Sequence, residues 1–438
     1  MRRPELSRRQ AALTRALALI ASFAYAACSA AAHVDPPSDA SEAQRYLHDE
    51  AYRRDALERS LTSRDNAYAA RRLAHFAGGD RAWDLVPVYD PPTAALTTAD
   101  VAELEAGRAL SLGDARALAD DLAPDSDGAA LVALGRDAFL TMPLKPDADL
   151  LATLASPSAR TDSGLAPDAS GAYVGIRKVP LDGGGVGVAM TCATCHADIV
   201  DGIAVLGRAR RAIHVGVIRM APFRGTGFEA DAARALLSWG AQREDVTDDG
   251  RVNPVRIPDI DVARWQSHFD ATGTLRSDGF GTLAMRTETL VTWGSGGTWR
   301  PARALAAAIA AFVRTLGPGA HALPSSPGAD VFRARCARCH DPSRGFTSDV
   351  MIAVADVGTD PAVGASEDRG TGYYRVPSLV GIASRAPYLH DASAKTLEDV
   401  LSHDHADHAD HADHAGHPFA PDMTDAERVS LLAVLSLL

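Results

Sequence analysis

Two pentapeptides constrain this chain more than anything else in its 438 residues: Cys192, Cys195 and His196 in "CATCH", and Cys336, Cys339 and His340 in "CARCH". Two thiols three residues apart on one helical turn can both reach the vinyl groups along one edge of a porphyrin. The next residue then carries its imidazole under the ring, where it can ligate the iron. This is the c-type haem attachment pattern, and it predicts two covalently bound haem c groups with His196 and His340 as proximal iron ligands. Other uses of paired thiols fit less well. A thioredoxin-like pair needs a strand and a βαβ setting, which "VGVAM" before Cys192 could supply but nothing before Cys336 does. A zinc site built from both pairs would bridge far more chain than the 12 to 20 residues of a zinc ribbon.

The chain contains five cysteines, and the fifth, Cys28, belongs to a different signal. "MRRPELSRRQ" is a basic n-region, an apolar run from Ala16 to Ala27 follows, and Ala24 with Ala26 frames a small-x-small cleavage site. The run is too short to span a bilayer. Residues 1–28 therefore read as a signal peptide, with Cys28 placed as the acceptor of a bacterial lipoprotein. The expectation is a periplasmic protein anchored to a membrane through Cys28, with ordinary cleavage to a soluble form as the alternative. The first 27 residues hold five Arg and one Glu, so a chain without them is more acidic than its formal charge of -12. Such a surface argues against nucleic acid and favours small or basic protein partners.

The sequence also repeats itself. "GRDAF" (Gly135 to Phe139) and "GADVF" (Gly328 to Phe332) precede the two haem motifs. "RIPDI" from Arg256 and "RVPSL" from Arg375 follow them. Each half continues with a histidine and an Asp-Ala pair (His268, Asp270, Ala271; His390, Asp391, Ala392) and closes on an apolar helix ending at Leu316 or Leu438. A capping box of Thr424 and Glu427 opens the last helix. The predicted organisation is an N-terminal helical region over 29–129, one haem module over 130–318 and a second over 327–438. Phe332 stands four residues before Cys336, whereas Phe139 stands 53 before Cys192. The first module thus carries an insertion of about 49 residues, whose Gly, Ser, Ala and Pro content reads as loop.

"YRVPSLVGIASRAPYLHDASAKTLEDVL", Tyr374 to Leu401, resembles the C-terminal signature of the bacterial di-haem cytochrome c peroxidases and the related MauG-like oxidases. The likeness covers the second module well, and the first through its haem motif and "NPVRIPDI". It implies a mainly α fold with two cytochrome c-like helical domains beside the N-terminal extension. It also implies electrons taken from a small redox donor protein at the C-terminal haem and passed to the N-terminal one, where hydrogen peroxide is reduced, with calcium often bound between the domains. A di-haem electron carrier without turnover is the alternative. The resemblance makes His214 the candidate distal ligand of the first haem, with Met220 competing.

At the second haem the chain departs from the family. Peroxidases place a methionine, and MauG-like oxidases a tyrosine, where His403 and Asp404 stand here. Met423, just before the terminal helix, is the favoured distal ligand, ahead of His403 and His417. The tract from His403 to His417 holds six histidines and four aspartates in a triplet repeat. That repeat drifts around a helix and makes no single-faced site, so it reads as a solvated loop. No motif singles out a catalytic carboxylate. Glu244 and Glu288 both read as surface groups.

Overall fold

Two glycines are where the helices of each half meet backbone to backbone. A Cβ on Gly135 would overlap the carbonyl of Ala308, so the helix Gly128–Thr141 can press directly on the helix Arg303–Thr315. A Cβ on Gly328 would likewise overlap the carbonyl of Ser430, where Pro327–Arg335 crosses Asp425–Leu435. Four residues after each glycine, on the same helix face, Phe139 and Phe332 are wholly buried. The Gly-x-x-x-Phe segments thus do the same work twice, tying the first helix of each half to its last.

The computed structural model describes residues 39–76, 85–118, 128–247, 249–317, 319, 322–401, 417–419 and 422–438. The signal segment with Cys28, and His403 with the tract up to residue 416, lie outside the described residues. The rest is mainly helical with only small sheets.

The N-terminal region forms the helices Asp39–His48, Glu50–Arg59 and Ala67–Phe76, the first two separated at Asp49, whose carboxylate caps the second. They pack on Phe280–Gly294 and Arg303–Thr315 in one apolar core. Tyr46 donates to Glu288 at 2.5 Å, and Glu288 is fully buried with Arg303 3.4 Å away. The surface reading of Glu288 is therefore corrected: it is an internal brace between the N-terminal region and the first half. The same region reaches the second half, where the backbone N–H groups of Ala67 and Tyr68 donate to Glu367 and Asp368.

The insertion is the larger correction. It folds into the helices Ala148–Ala155 and Pro157–Asp162 and the hairpin Ala172–Pro180 with Val186–Met190. The hairpin joins Ala94–Thr97, an unexpected strand in the N-terminal region, to make a three-stranded antiparallel sheet. Glycine here signals close packing. Gly175 lies inside a strand at φ 82, and a Cβ there would collide with the backbone of Ala193 and Thr194.

Candidate functional site

In the first motif, Cys192–His196 is a separate five-residue helix. Thr191 caps it, forming a capping box with Thr194. The inserted hairpin holds that turn from outside. Thr191 N–H and the Thr194 hydroxyl both donate to the Gly175 carbonyl, at 2.8 and 2.5 Å. Among the described residues the second motif has no such brace and instead runs on from its helix. Cys336 caps Pro327–Arg335 by donating to the Phe332 carbonyl at 2.8 Å, and His340 N–H returns to the Cys336 carbonyl at 2.9 Å.

Both motif histidines are oriented the same way. His196 Nδ1 lies 3.0 Å from the carbonyl of Pro258, the proline of the "RIPDI" stretch. His340 Nδ1 lies 3.0 Å from the carbonyl of Phe346, with the Pro377 backbone of "RVPSL" beside it. A carbonyl can only accept, so Nδ1 carries the proton in each ring and Nε2 keeps a lone pair. Burial pulls both imidazoles down to about 4, so each is neutral at neutral pH. Burial pushes the thiols the other way, Cys192 and Cys336 to about 11 and Cys195 to about 12 with the Glu244 charge adding to it. A redox-active or zinc-binding pair needs thiolates stabilised at neutral pH. Cys192, Cys195, Cys336 and Cys339 are all free of disulfides.

Beside Cys195 a polar corner has formed around His214, the candidate distal ligand, with partners that have no sequence signature. His214 precedes the helix Val215–Arg219 and is half-buried, and its N–H donates to Ser163 at 2.9 Å. Burial, reinforced by Arg243, lowers its pKa, and Nδ1 has no hydrogen-bond partner among the described residues. Gln242 donates through its backbone to Ile213 at 2.6 Å, adopts a left-handed φ of 62, and is 1% exposed with both amide atoms unpartnered. Trp239 Nε1 likewise has no partner among the described residues. A buried amide with no partner is costly, so such a group marks a place built to meet something else. Two residues on, Glu244 is partly buried, and burial pushes its pKa up against the pull of Arg219 and Arg369, so it is more enclosed than an open surface carboxylate. Met220 is buried among the residues of this corner's helix. The donor set fits a covalent haem: two neutral thiols, one imidazole with its lone pair presented, and unpaired polar atoms nearby.

On the second side, Met423 is buried in a core with Phe332, Leu431 and Leu435. His417 lies near His340, their ring centres 6.3 Å apart and their planes 35° from parallel. Its backbone N–H donates to Val357 at 2.9 Å, and the Phe419 ring meets it edge-on at 5.3 Å.

The two halves exchange matching bonds across their seam. Arg256 N–H donates to His390 at 2.7 Å, and Arg375 N–H donates to Ala271 at 3.0 Å. Arg385 reaches across to Asp261 at 2.7 Å and Asp259 at 3.4 Å, while Arg256 and Arg211 bind Asp259 from its own half at 2.7 and 3.0 Å. Burial opposes ionisation of Asp259, but the three guanidiniums prevail and hold it at about 2. Val262 and Trp265 of the first half pack into the core of the second, where Gly345 leaves room for the indole.

Among the described residues no three or more His, Cys, Asp or Glu side chains converge as a metal site. No family model matches the chain, and no curated protein matches it. Among solved structures it is similar to a MauG-like protein associated with microbial copper homeostasis, at 23% identity over 44% of this chain and 76% of that one, with a TM-score of 0.31. It is also similar to hydrazine synthase of Kuenenia stuttgartiensis pressurized with xenon, at 16% identity over 45% and 76%, with a TM-score of 0.30.

Proposed function

We propose that this chain is a periplasmic di-haem c-type oxidoreductase of the peroxidase kind, built on two cytochrome c-like domains over 130–318 and 327–438. Cys192, Cys195 and His196 hold one haem and Cys336, Cys339 and His340 the other. One observation carries the reading: in both motifs a backbone carbonyl 3.0 Å from Nδ1 fixes a neutral imidazole with its Nε2 lone pair presented, the arrangement that orients an iron ligand. Haem supplies a centre that changes oxidation state and, with one face open, accepts an exogenous ligand.

The protein's own residues divide the remaining tasks. The seam of Arg256, Asp259, Asp261 and Arg385 fixes the two sites relative to one another. His214, Gln242 and Glu244 form the polar corner beside the first site, and Glu244, whose pKa burial raises, is the group suited to supply a proton when hydrogen peroxide takes two electrons and two protons to give two waters. Electrons enter at the second site from a small redox donor protein, Cys28 carries a lipid anchor, and calcium belongs to this reading through the family resemblance alone.

The experiment is intact-mass analysis of protein exported from a host with c-type haem maturation. Two covalent haems are expected, one lost in C192A/C195A and the other in C336A/C339A. A wild-type chain without covalent haem would overturn the proposal.

A further inference from the structure

The second haem site carries a feature that its attachment motif does not require. His340 is already oriented by the Phe346 carbonyl, so its Nε2 points away from that carbonyl. Near it stands a second imidazole, His417, whose ring centre is 6.3 Å from that of His340. With metal–imidazole bonds of about 2.0 to 2.1 Å and each ring's centre roughly 1.1 Å behind its bonding nitrogen, two imidazoles on opposite faces of one ion have centres about 6.3 Å apart. We propose that His417 is the axial ligand opposite His340, which makes the second haem bis-histidine. This rests on the reading that Cys336 and Cys339 tether a haem, and it names the ligand on the far side of that iron.

The orientation agrees with the spacing. Two imidazoles that each stand upright on one macrocycle differ by rotation about their common axis, and the 35° between these two planes is compatible with such a rotation. His417 is also held in place more firmly than a solvated loop residue needs to be. Its N–H is tied to Val357 and its ring is met edge-on by Phe419. It adopts φ 65, a left-handed backbone that a residue with a Cβ rarely takes unless its surroundings impose it. Pro418 behind it further restricts the chain. Met423 is spoken for otherwise, as a buried member of the core between the closing helix and Phe332.

The consequence is a closed centre. With nitrogen on both faces the second iron is six-coordinate and low-spin, and it has no place for peroxide. It also lacks the methionine sulfur that raises the potential of cytochromes c. The terminal histidine of the repeated tract is thereby its working member.

The test is electron paramagnetic resonance and near-infrared magnetic circular dichroism on ferric wild type, H417A, H417M and M423L, with intact mass recorded for each. The wild type is expected to show a bis-histidine band and no sulfur–iron band. In H417A one of the two haems becomes high-spin, and added imidazole returns it to low-spin. H417M gains a sulfur–iron band and a higher midpoint potential, and M423L matches the wild type. An H417A protein with two covalent haems and an unchanged spectrum would overturn the ligand assignment, as would a wild-type sulfur–iron band that vanishes in M423L. A wild type lacking haem on Cys336 and Cys339 would overturn the functional reading beneath it.

Discussion

The first haem motif is supported from outside its own module plan, whereas the second is supported from within. Around Cys192, an inserted hairpin presses a strand glycine onto the motif turn, and the residues beyond it form a corner of unpartnered polar groups. Around Cys336, the motif extends an existing helix and a second histidine lies near the first. Equal motifs have thus been given unequal surroundings. A site built to turn over substrate needs walls, polar groups with nothing else to do and room for a ligand. A site built to pass electrons needs a rigid, closed shell.

The comparison breaks most visibly when whole sites are removed. Both C192A/C195A and C336A/C339A should lose donor-driven peroxide turnover by at least ~100-fold, but for different reasons. Chemically pre-reduced C336A/C339A should still react once with peroxide, and pre-reduced C192A/C195A should not, as stopped-flow absorbance will show. Equal single-turnover behaviour of the two would abolish the distinction.

Next in size is the brace. G175V places a side chain against Ala193 and Thr194 at a φ that valine avoids, which should cost about 3 kcal/mol in denaturant unfolding and reduce haem occupancy at the first site alone. Equal loss at both sites would mean that the hairpin supports the fold and not the motif.

The seam comes third, because it belongs to both sites equally. D259N strips a buried carboxylate from Arg256, Arg385 and Arg211 and should cost about 3 kcal/mol. The folded pKa of about 2 lies below the unfolded carboxylate value. The ionised group therefore contributes stability above about pH 4, and that contribution is lost as pH falls toward 2. Urea midpoints of wild type and D259N should converge across that window.

The smallest effect on stability, with a separate effect on rate, is expected from E244Q. A carboxyl whose folded pKa is raised stabilises the fold at low pH and opposes it once ionised, so the amide should gain up to about 1 kcal/mol at neutral pH. Peroxide turnover should nonetheless fall about 100-fold and lose its alkaline limb. Unchanged turnover would remove Glu244 from the chemistry.

What could be read in advance follows the range of the interactions involved. The Cys-x-x-Cys-His motifs are contiguous, and the Gly-x-x-x-Phe helices and the Thr424 cap are local patterns, so each is legible from spacing. The insertion reads as loop because glycine frequency does not distinguish a turn from a strand pressed against a neighbour, as Gly175 is. Glu288 looked like a surface residue because its partner Tyr46 is 242 positions away. The corner of His214, Gln242 and Glu244 owes its character to burial and to missing partners, neither of which has a sequence signature. His417 was visible only as one histidine among six. Its distance from His340 is what separates it from the rest.

The most direct test of unequal haems is to half-reduce the purified holo-protein and record its electron paramagnetic resonance and optical spectra before and after adding peroxide. The haem on Cys192 and Cys195 is expected to become high-spin and react, while the haem on Cys336 and Cys339 stays low-spin throughout. Two haems that both remain low-spin and unreactive would contradict the account and leave an electron carrier in its place.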